Sequence, residues 1–271
     1  MSFRLTPDPS FKDALAAADR SLAGIWVCSG SPLVAEICAG AGFDWIFIDA
    51  EHSPNGLESI LAQLQAVRGY PVVPVVRPPV NDTVIIKQYL DLGVQSLIVP
   101  MVNTAADAVA AVQACHYPPM GVRGVGSALA RSARWNRIPD YLNHASETLT
   151  LIVQIESAQA VANVEEIVGT EGVDGIFIGP SDLAASMGVI GQQDHPEVVA
   201  AVEKSIAAGK AAGKFVGVNA FAEGTAKRYI EFGADFVGVG ADVALLARGS
   251  EALAAKFVSV EPSKTGTPAS Y

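Results

Sequence analysis

"WIFIDAEHSPNG", residues 45–56, runs four large apolar residues straight into Asp49, Glu51 and His52. The apolar part is short, aromatic and β-branched, the composition of a strand buried on both faces. Its polar end has two readings: a solvated turn, or chemistry-bearing side chains delivered by the strand. The other strands decide between them. Similar runs recur as "AGIWVCS" (23–29), "PVVPVVR" (71–77), "SLIVPMV" (96–102), "LTLIVQIE" (149–156), "GIFIGPSD" (175–182), "KFVGVNA" (214–220) and "FVGVGAD" (236–242). Ala-rich segments of 3.6-residue period separate them, among them "TAADAVAAVQAC" and "HPEVVAAVEKSIAAGKAAG". Eight strand–helix units joined by right-handed crossovers predict a single (β/α)8 TIM barrel over residues 21–257. A doubly wound sheet usually has fewer strands and a switch point. No GxGxxG opens a helix here, so no nucleotide cofactor is expected.

The length of 271 residues suits one such barrel, and a composition 50% hydrophobic and 17% charged suits a large core. Residues 1–20 read as an N-terminal arm, and 258–271, ending in "EPSKTGTPASY", as a flexible tail. No apolar run approaches the roughly 20 residues of a membrane span, and the start shows no secretory signal, so a cytoplasmic protein is expected. A formal charge of −10 opposes binding to nucleic acid or an anionic membrane. Cys28, Cys38 and Cys115 form no CxxC pair and read as buried structural thiols.

Residues 116–147 break the rhythm between the fourth helix and fifth strand of the barrel. They carry Arg123, Arg131, Arg134 and Arg137, and "GVRGVGS" (121–127) reads as a flexible loop. An insertion this long reads as a lid, an inter-subunit element or a decoration.

In a TIM barrel the carboxyl ends of the strands build the active site. Those ends carry Asp49, Glu51 and His52 on strand 2, Arg77 on strand 3, Gln154 and Glu156 on strand 5, and Asp182 after strand 6. Asn219 and Asp242 close strands 7 and 8. Gln154 and Glu156 are two apart and point the same way. Glu156 and Asp182, from neighbouring strands, converge as two carboxylates without clustered His or Cys, which describes a site for a hard cation such as Mg²⁺ or Mn²⁺. Either acid could instead cap the helix that follows it. Arg77 beside a metal suits a developing oxyanion or a carboxylate. His52 alone among the histidines sits at a strand end with acids nearby, which makes it the candidate general base. His195 precedes Pro196 and reads as a helix start. No lysine sits at a strand end, which argues against a Schiff base.

Several motifs, in order, carry a resemblance: "AGAGFDWIFIDAEHSPN", "VVRPP", "IKQYLDLGVQSLIVPMV", "GVRGVGSALARSARWN", "VQIES", "GVDGIFIGPSDLAASMG" and "LLARGSEALAAKF". Over about residues 20–257 the chain resembles the pyruvate-dependent class II aldolases of the HpcH/HpaI family, which includes the 4-hydroxy-2-oxoheptanedioate aldolases. The resemblance implies a barrel enzyme, a carbon–carbon lyase using Mg²⁺, Mn²⁺ or Co²⁺. It also implies a homohexamer built as a trimer of dimers, with the C-terminal helix domain-swapped, and a place in the catabolism of aromatic compounds. Glu156 and Asp182 match the family's metal ligands and His52 its base. Arg77 matches its transition-state arginine and Gln154 its pyruvate contact. Ser181 matches the residue offering its backbone to the substrate carboxylate, beside Asp182. Asp91 of "YLDLG" matches the carboxylate that raises the basicity of the histidine. Asp91, however, ends the third barrel helix, at the face opposite the rim, so that contact requires a different boundary or a neighbouring subunit. Asp49 is the alternative partner, with Glu51 in support. The implied reaction is retro-aldol cleavage of a 4-hydroxy-2-oxo acid, heptanedioate-like, to pyruvate and an aldehyde resembling succinic semialdehyde. Aldolases of 2-keto-3-deoxy sugar acids and a CoA-ester lyase served by the four arginines are the alternatives. Two departures bear on substrate: Ala50 where Gly is common, and Ser181 where Ala is frequent.

Overall fold

The computed structural model describes residues 5–258. Eight parallel strands form a closed barrel in sequence order: β1 (Leu22–Val27), β2 (Trp45–Asp49), β3 (Val73–Arg77), β4 (Ser96–Val99), β5 (Thr150–Ile155), β6 (Gly175–Ile178), β7 (Phe215–Asn219) and β8 (Phe236–Ala241). Every apolar run read as a strand is one. The helices are α1 (Phe11–Ala17), α2 (Pro32–Ala39), α3 (Leu57–Ala66), α4 (Thr83–Asp91), α5 (Ala105–Cys115) and α6 (Tyr141–His144). There follow α7 (Ala158–Ala162), α8 (Val164–Val168), α9 (Pro180–Ser186), α10 (Pro196–Ala211), α11 (Glu223–Phe232) and α12 (Asp242–Ala254). Most of the predicted tail, residues 259–271, lies outside the described residues.

The two-residue strand period sorts side chains into two cores. Ile46, Ile48, Val76 and Ile176 face outward and pack under the helices. Trp45, Phe47, Val75, Ile98, Ile152, Phe177 and Phe236 face inward and fill the barrel. Phe11 of α1 plugs the N-terminal mouth, 5.4 Å from the Trp45 ring and 5.1 Å from that of Phe236. Two strand starts hold the plug: the Phe11 N–H donates to Ser96 Oγ (3.0 Å) and the Lys12 N–H to Thr150 Oγ1 (2.9 Å). Glycines on inward positions make room for the rings. A Cβ on Gly217 would lie 2.1 Å from Phe236 Cε2. Gly217→Ala is therefore expected to lower stability by about 1–3 kcal/mol through overpacking, measurable by denaturant unfolding; an unchanged midpoint would contradict this account of the filled barrel.

Three joints at the N-terminal end repeat one device. Gly-x-Asp precedes β2, β6 and β8 as Gly42–Asp44, Gly172–Asp174 and Gly233–Asp235, each glycine at positive φ. Each aspartate accepts a backbone N–H from the opening of a neighbouring strand: Ala23 to Asp44 (2.9 Å), Leu151 to Asp174 (2.8 Å) and Val216 to Asp235 (2.8 Å). At the other end, Asp242 accepts from the Cys28 and Ser29 N–H groups at 2.8 and 3.0 Å, clipping β8 to β1.

The 116–147 insertion lies on the N-terminal face. Ser132 N donates to Asp91 O (3.2 Å), Arg131 Nη1 to Leu92 O (2.7 Å) and Gln95 Nε2 to Thr148 O (3.3 Å). It does not cover the catalytic rim of its own chain. The 121–127 segment is also no free loop. Val122 N and Arg123 N bond back to Gln113 O and His116 O, and the Arg123 side chain is buried over the Tyr117 ring.

Candidate active site

Asp49 and Arg77 are paired residues of β2 and β3, both on inward positions, one layer above Phe47 and Val75. That parity, not local propensity, drives a carboxylate and a guanidinium into the barrel. Both are about as buried as the aromatic floor, and Arg77 Nε meets Asp49 Oδ1 at 2.7 Å. Arg77 Nη1 lies 2.8 Å from Glu51 Oε2, an ion contact. The indole of Trp26 lies under the guanidinium carbon at 4.6 Å. Burial disfavours the charged arginine, but the hydrogen bond and charge of Asp49, followed by Glu51 and Glu156, outweigh it and hold its pKa above the ordinary value.

The opening stretch winds around Asp49. Its carboxylate accepts the N–H groups of Glu51 (3.0 Å) and His52 (3.2 Å), while its carbonyl accepts from Ser53 Oγ and Asn55 Nδ2. Asp49 thus fixes the backbone of His52, whereas the imidazole lies 4.0 Å from Glu51 Oε2. The ring is largely exposed, on the lip of the cavity.

Glu156 follows β5 directly and is 3% exposed. It caps no helix: Ser157 does that for α7. Glu156 Oε1 instead accepts the Met101 N–H at 2.6 Å, and Oε2 accepts from Gln154 Nε2. Met101 presents that N–H from φ 56°, a left-handed conformation that costs a side-chain-bearing residue energy. Burial pushes the Glu156 carboxyl up to about 7, with the charges of Glu51 and Asp182 adding to it and the Met101 bond and Arg77 opposing. Burial likewise raises Glu51, against the pull of Arg77. Gly179 gives this group space, since a Cβ there would be 3.1 Å from Gln154 Nε2 and 3.3 Å from Glu156 Cβ. Asp182 and Ser181 lie in the first turn of α9, whose N-cap is Gly179, so Asp182 is not the cap either. Ser181 Oγ accepts from Gln193 Nε2 at 2.6 Å.

Trp26, His52, Arg77, Gln154, Asp182 and Asn219 share one cavity of about 270 Å³ at the rim. Gln154 Oε1 faces no protein partner although buried. Among the described residues no group of three or more His, Cys, Asp or Glu side chains could hold a metal. The donor set is a pair of carboxylates, one of them costly to ionise without a counter-charge, beside an unpartnered amide oxygen. That set fits a hard cation with positions left for water and substrate.

Sequence reasoning missed Trp26, which the inward parity of β1 could have found, and Met101, whose role no local signal announces. Cys28 also lines the cavity and is only partly buried. Its thiol is pushed up to about 12 by burial, then by Asp49 and Asp242, with Arg77 opposing, so it is not primed as a nucleophile. His195 caps α10, its Nδ1 accepting the Glu197 N–H. Asp91 ends α4 at the N-terminal face and accepts from Arg123 Nη2 at 3.2 Å; within one chain it is not brought to His52. Of the four arginines of the insertion, Arg123, Arg131 and Arg134 are held at that opposite face, away from the rim of their own chain.

Fold and site together define a TIM-barrel protein of the enzyme type, with carboxylates, an arginine and a histidine gathered on one rim. The chain belongs to the HpcH/HpaI aldolase/citrate lyase family, whose model matches residues 22–249. It is 53% identical over 262 residues to the 4-hydroxy-2-oxo-heptane-1,7-dioate aldolase of Salmonella newport (strain SL254), covering 97% of this chain and 99% of the relative. Among solved structures, an HpcH/HpaI aldolase/citrate lyase family protein from Burkholderia cenocepacia J2315 superposes with a TM-score of 0.87. Its identity is 40%, with 92% of this chain and 99% of that one covered. The HpcH/HpaI aldolase from Desulfitobacterium hafniense DCB-2 gives a TM-score of 0.85 at 26% identity, covering 95% and 100% of the two chains.

Proposed function

We propose that this chain is a divalent-metal-dependent class II aldolase that cleaves a 4-hydroxy-2-oxo acid reversibly into pyruvate and an aldehyde. The observation that carries the reading is the arginine held charged and buried beside carboxylates, with an imidazole at the lip. Glu156 and Asp182 would hold the cation, which when bound supplies a Lewis acid for the 2-oxo group. Gln154 and the backbone at Ser181 and Asp182 orient the oxo-acid end. His52 takes the proton of the 4-hydroxyl, the C3–C4 pair moves onto the three-carbon fragment, and the aldehyde leaves. Arg77, pre-aimed by Asp49 and Glu51, stabilises the enolate oxygen that develops, and protonation at C3 gives pyruvate.

The name that the Salmonella relatives carry favours 4-hydroxy-2-oxoheptanedioate as substrate; its cleavage gives succinic semialdehyde as the aldehyde, and the family resemblance suggests a place in aromatic-compound catabolism. Sugar-acid substrates are the alternative. Asp91 would serve His52 of a neighbouring copy: it sits a third exposed at the chain's surface. Exposed Leu245, Leu246 and Leu253 on α12, with Phe257 beyond it, favour an oligomer, read here as a hexameric trimer of dimers with that helix exchanged. No helix among the described residues is long and apolar enough to cross a membrane; we place the enzyme in the cytoplasm, acting on small molecules.

The test is pyruvate release from 4-hydroxy-2-oxoheptanedioate and from 2-keto-3-deoxy sugar acids, with Mg²⁺, Mn²⁺ or Co²⁺ and after chelation. Cleavage that stops on chelation and returns with metal is expected. Undiminished turnover in metal-free enzyme would sink the metal reading, and unchanged cleavage by His52→Ala would remove that base.

A further inference from the structure

A second cavity, also of about 270 Å³, opens on the N-terminal face between the starts of β3 and β4, across the barrel from the rim. Arg68, Arg131 and Arg134 line it, with Asp8. Asp8 engages its neighbours loosely, 3.7 Å from Arg68 Nε and 3.5 Å from Arg134 Nη2. Among the described residues Arg131 has no carboxylate within ion-pair distance; its Nη1 is spent on Leu92 O. Three guanidinium groups against one carboxylate leave a local excess of positive charge in a chain whose formal charge is −10.

Two further observations mark the pocket as built. Before β4 the Gly-x-Asp device carries Gln95 in the aspartate's position, so the carboxylate found at three other joints is missing beside these arginines. Arg134, Trp135 and Asn136 occupy left-handed backbone at φ 48°, 56° and 60°. Side-chain-bearing residues seldom adopt this conformation, and the run shapes the turn that carries Arg134 to the cavity. Burial, followed by the repulsion of Arg134 and Arg68, holds Arg131 down to about 10, with Asp8 alone opposing.

We propose that this pocket binds a small multivalent oxyanion, an inorganic phosphate or a dicarboxylate, between Arg68, Arg131 and Arg134. Planar guanidinium forks match the oxygens of either group. The site stands apart from the aldolase cavity and does not rest on the proposed reaction.

Calorimetric titration of the metal-loaded enzyme with sodium phosphate, and separately with succinate, tests it; the tighter of the two identifies the source. One site per chain is expected, weakened about tenfold or more in Arg68→Ala and in Arg131→Gln. Arg68 is half exposed and outside the catalytic machinery, so Arg68→Ala is expected to keep the melting temperature and turnover of the parent. Binding must survive in Glu156→Gln, which removes anion capture by a metal at the rim. Heat that disappears in Glu156→Gln, heat indifferent to both arginine substitutions, or no binding of either anion below about 10 mM would overturn the proposal.

Discussion

Arg77→Ala is expected to lower the rate of retro-aldol cleavage by about 10²–10³, with loss of roughly 3–4 kcal/mol of transition-state stabilisation. The guanidinium is buried at 2%, fixed by Asp49 at 2.7 Å and Glu51 at 2.8 Å, and backed by the Trp26 ring, so it reorganises little as charge develops on the enolate. The same substitution leaves Asp49 buried without its counter-charge. Removing one partner of such a pair costs about 3–5 kcal/mol of folding stability. The two losses separate experimentally. Urea unfolding reads the second, and turnover measured well below the unfolding transition reads the first. Arg77→Lys restores a charge but not the fork that joins two carboxylates, so it should recover stability more than rate. Near-parental turnover in a folded Arg77→Ala enzyme would remove this arginine from the chemistry.

The other large effect belongs to Glu156→Gln. Turnover should fall by at least about 10², because one of the two carboxylates proposed to hold the cation is gone, while the metal-free fold should become no less stable. The sign follows from the raised carboxyl. Glu156 titrates near 7 when folded against an ordinary value of 4.5, so the folded state holds its proton more tightly than the unfolded chain does. As pH rises from about 4.5 to 7, metal-free protein therefore loses stability, by roughly 3 kcal/mol in all. Glutamine keeps the shape of the protonated acid and should abolish that slope. Unfolding of chelated parent and variant at pH 5 and pH 8 measures it. A variant as pH-sensitive as the parent would mean that Glu156 does not carry the buried charge.

The barrel was legible because a strand covered on both faces has to be apolar throughout, and eight such runs leave little choice of topology. The rim was legible for the opposite reason. Asp49, Arg77 and Gln154 interrupt runs in which a polar residue is costly, so their presence signals a use. Trp26 gave no such signal, since an aromatic residue in a strand looks like core and only the closed barrel shows its indole beneath Arg77. Met101 contributes a backbone N–H, which any residue carries. The insertion misled for a physical reason too: its glycines suggested mobility, but the burial of Arg123 and the hydrogen bonds on either side are non-local and leave no trace in composition. Asp91 was legible as to its place, at the far end of its helix, because a barrel helix runs antiparallel to the strand before it.

The Gly-x-Asp clips at Asp44, Asp174 and Asp235 secure the end of the barrel where no cleavage chemistry is proposed. These three clips add cohesion at the mouth away from the proposed chemistry, while the Asp49–Arg77 pair and the Asp242 clip hold the rim itself. For a laboratory seeking new aldehyde partners, exposed lip positions other than His52 are where diversity can be introduced, and the three aspartates are residues to leave alone.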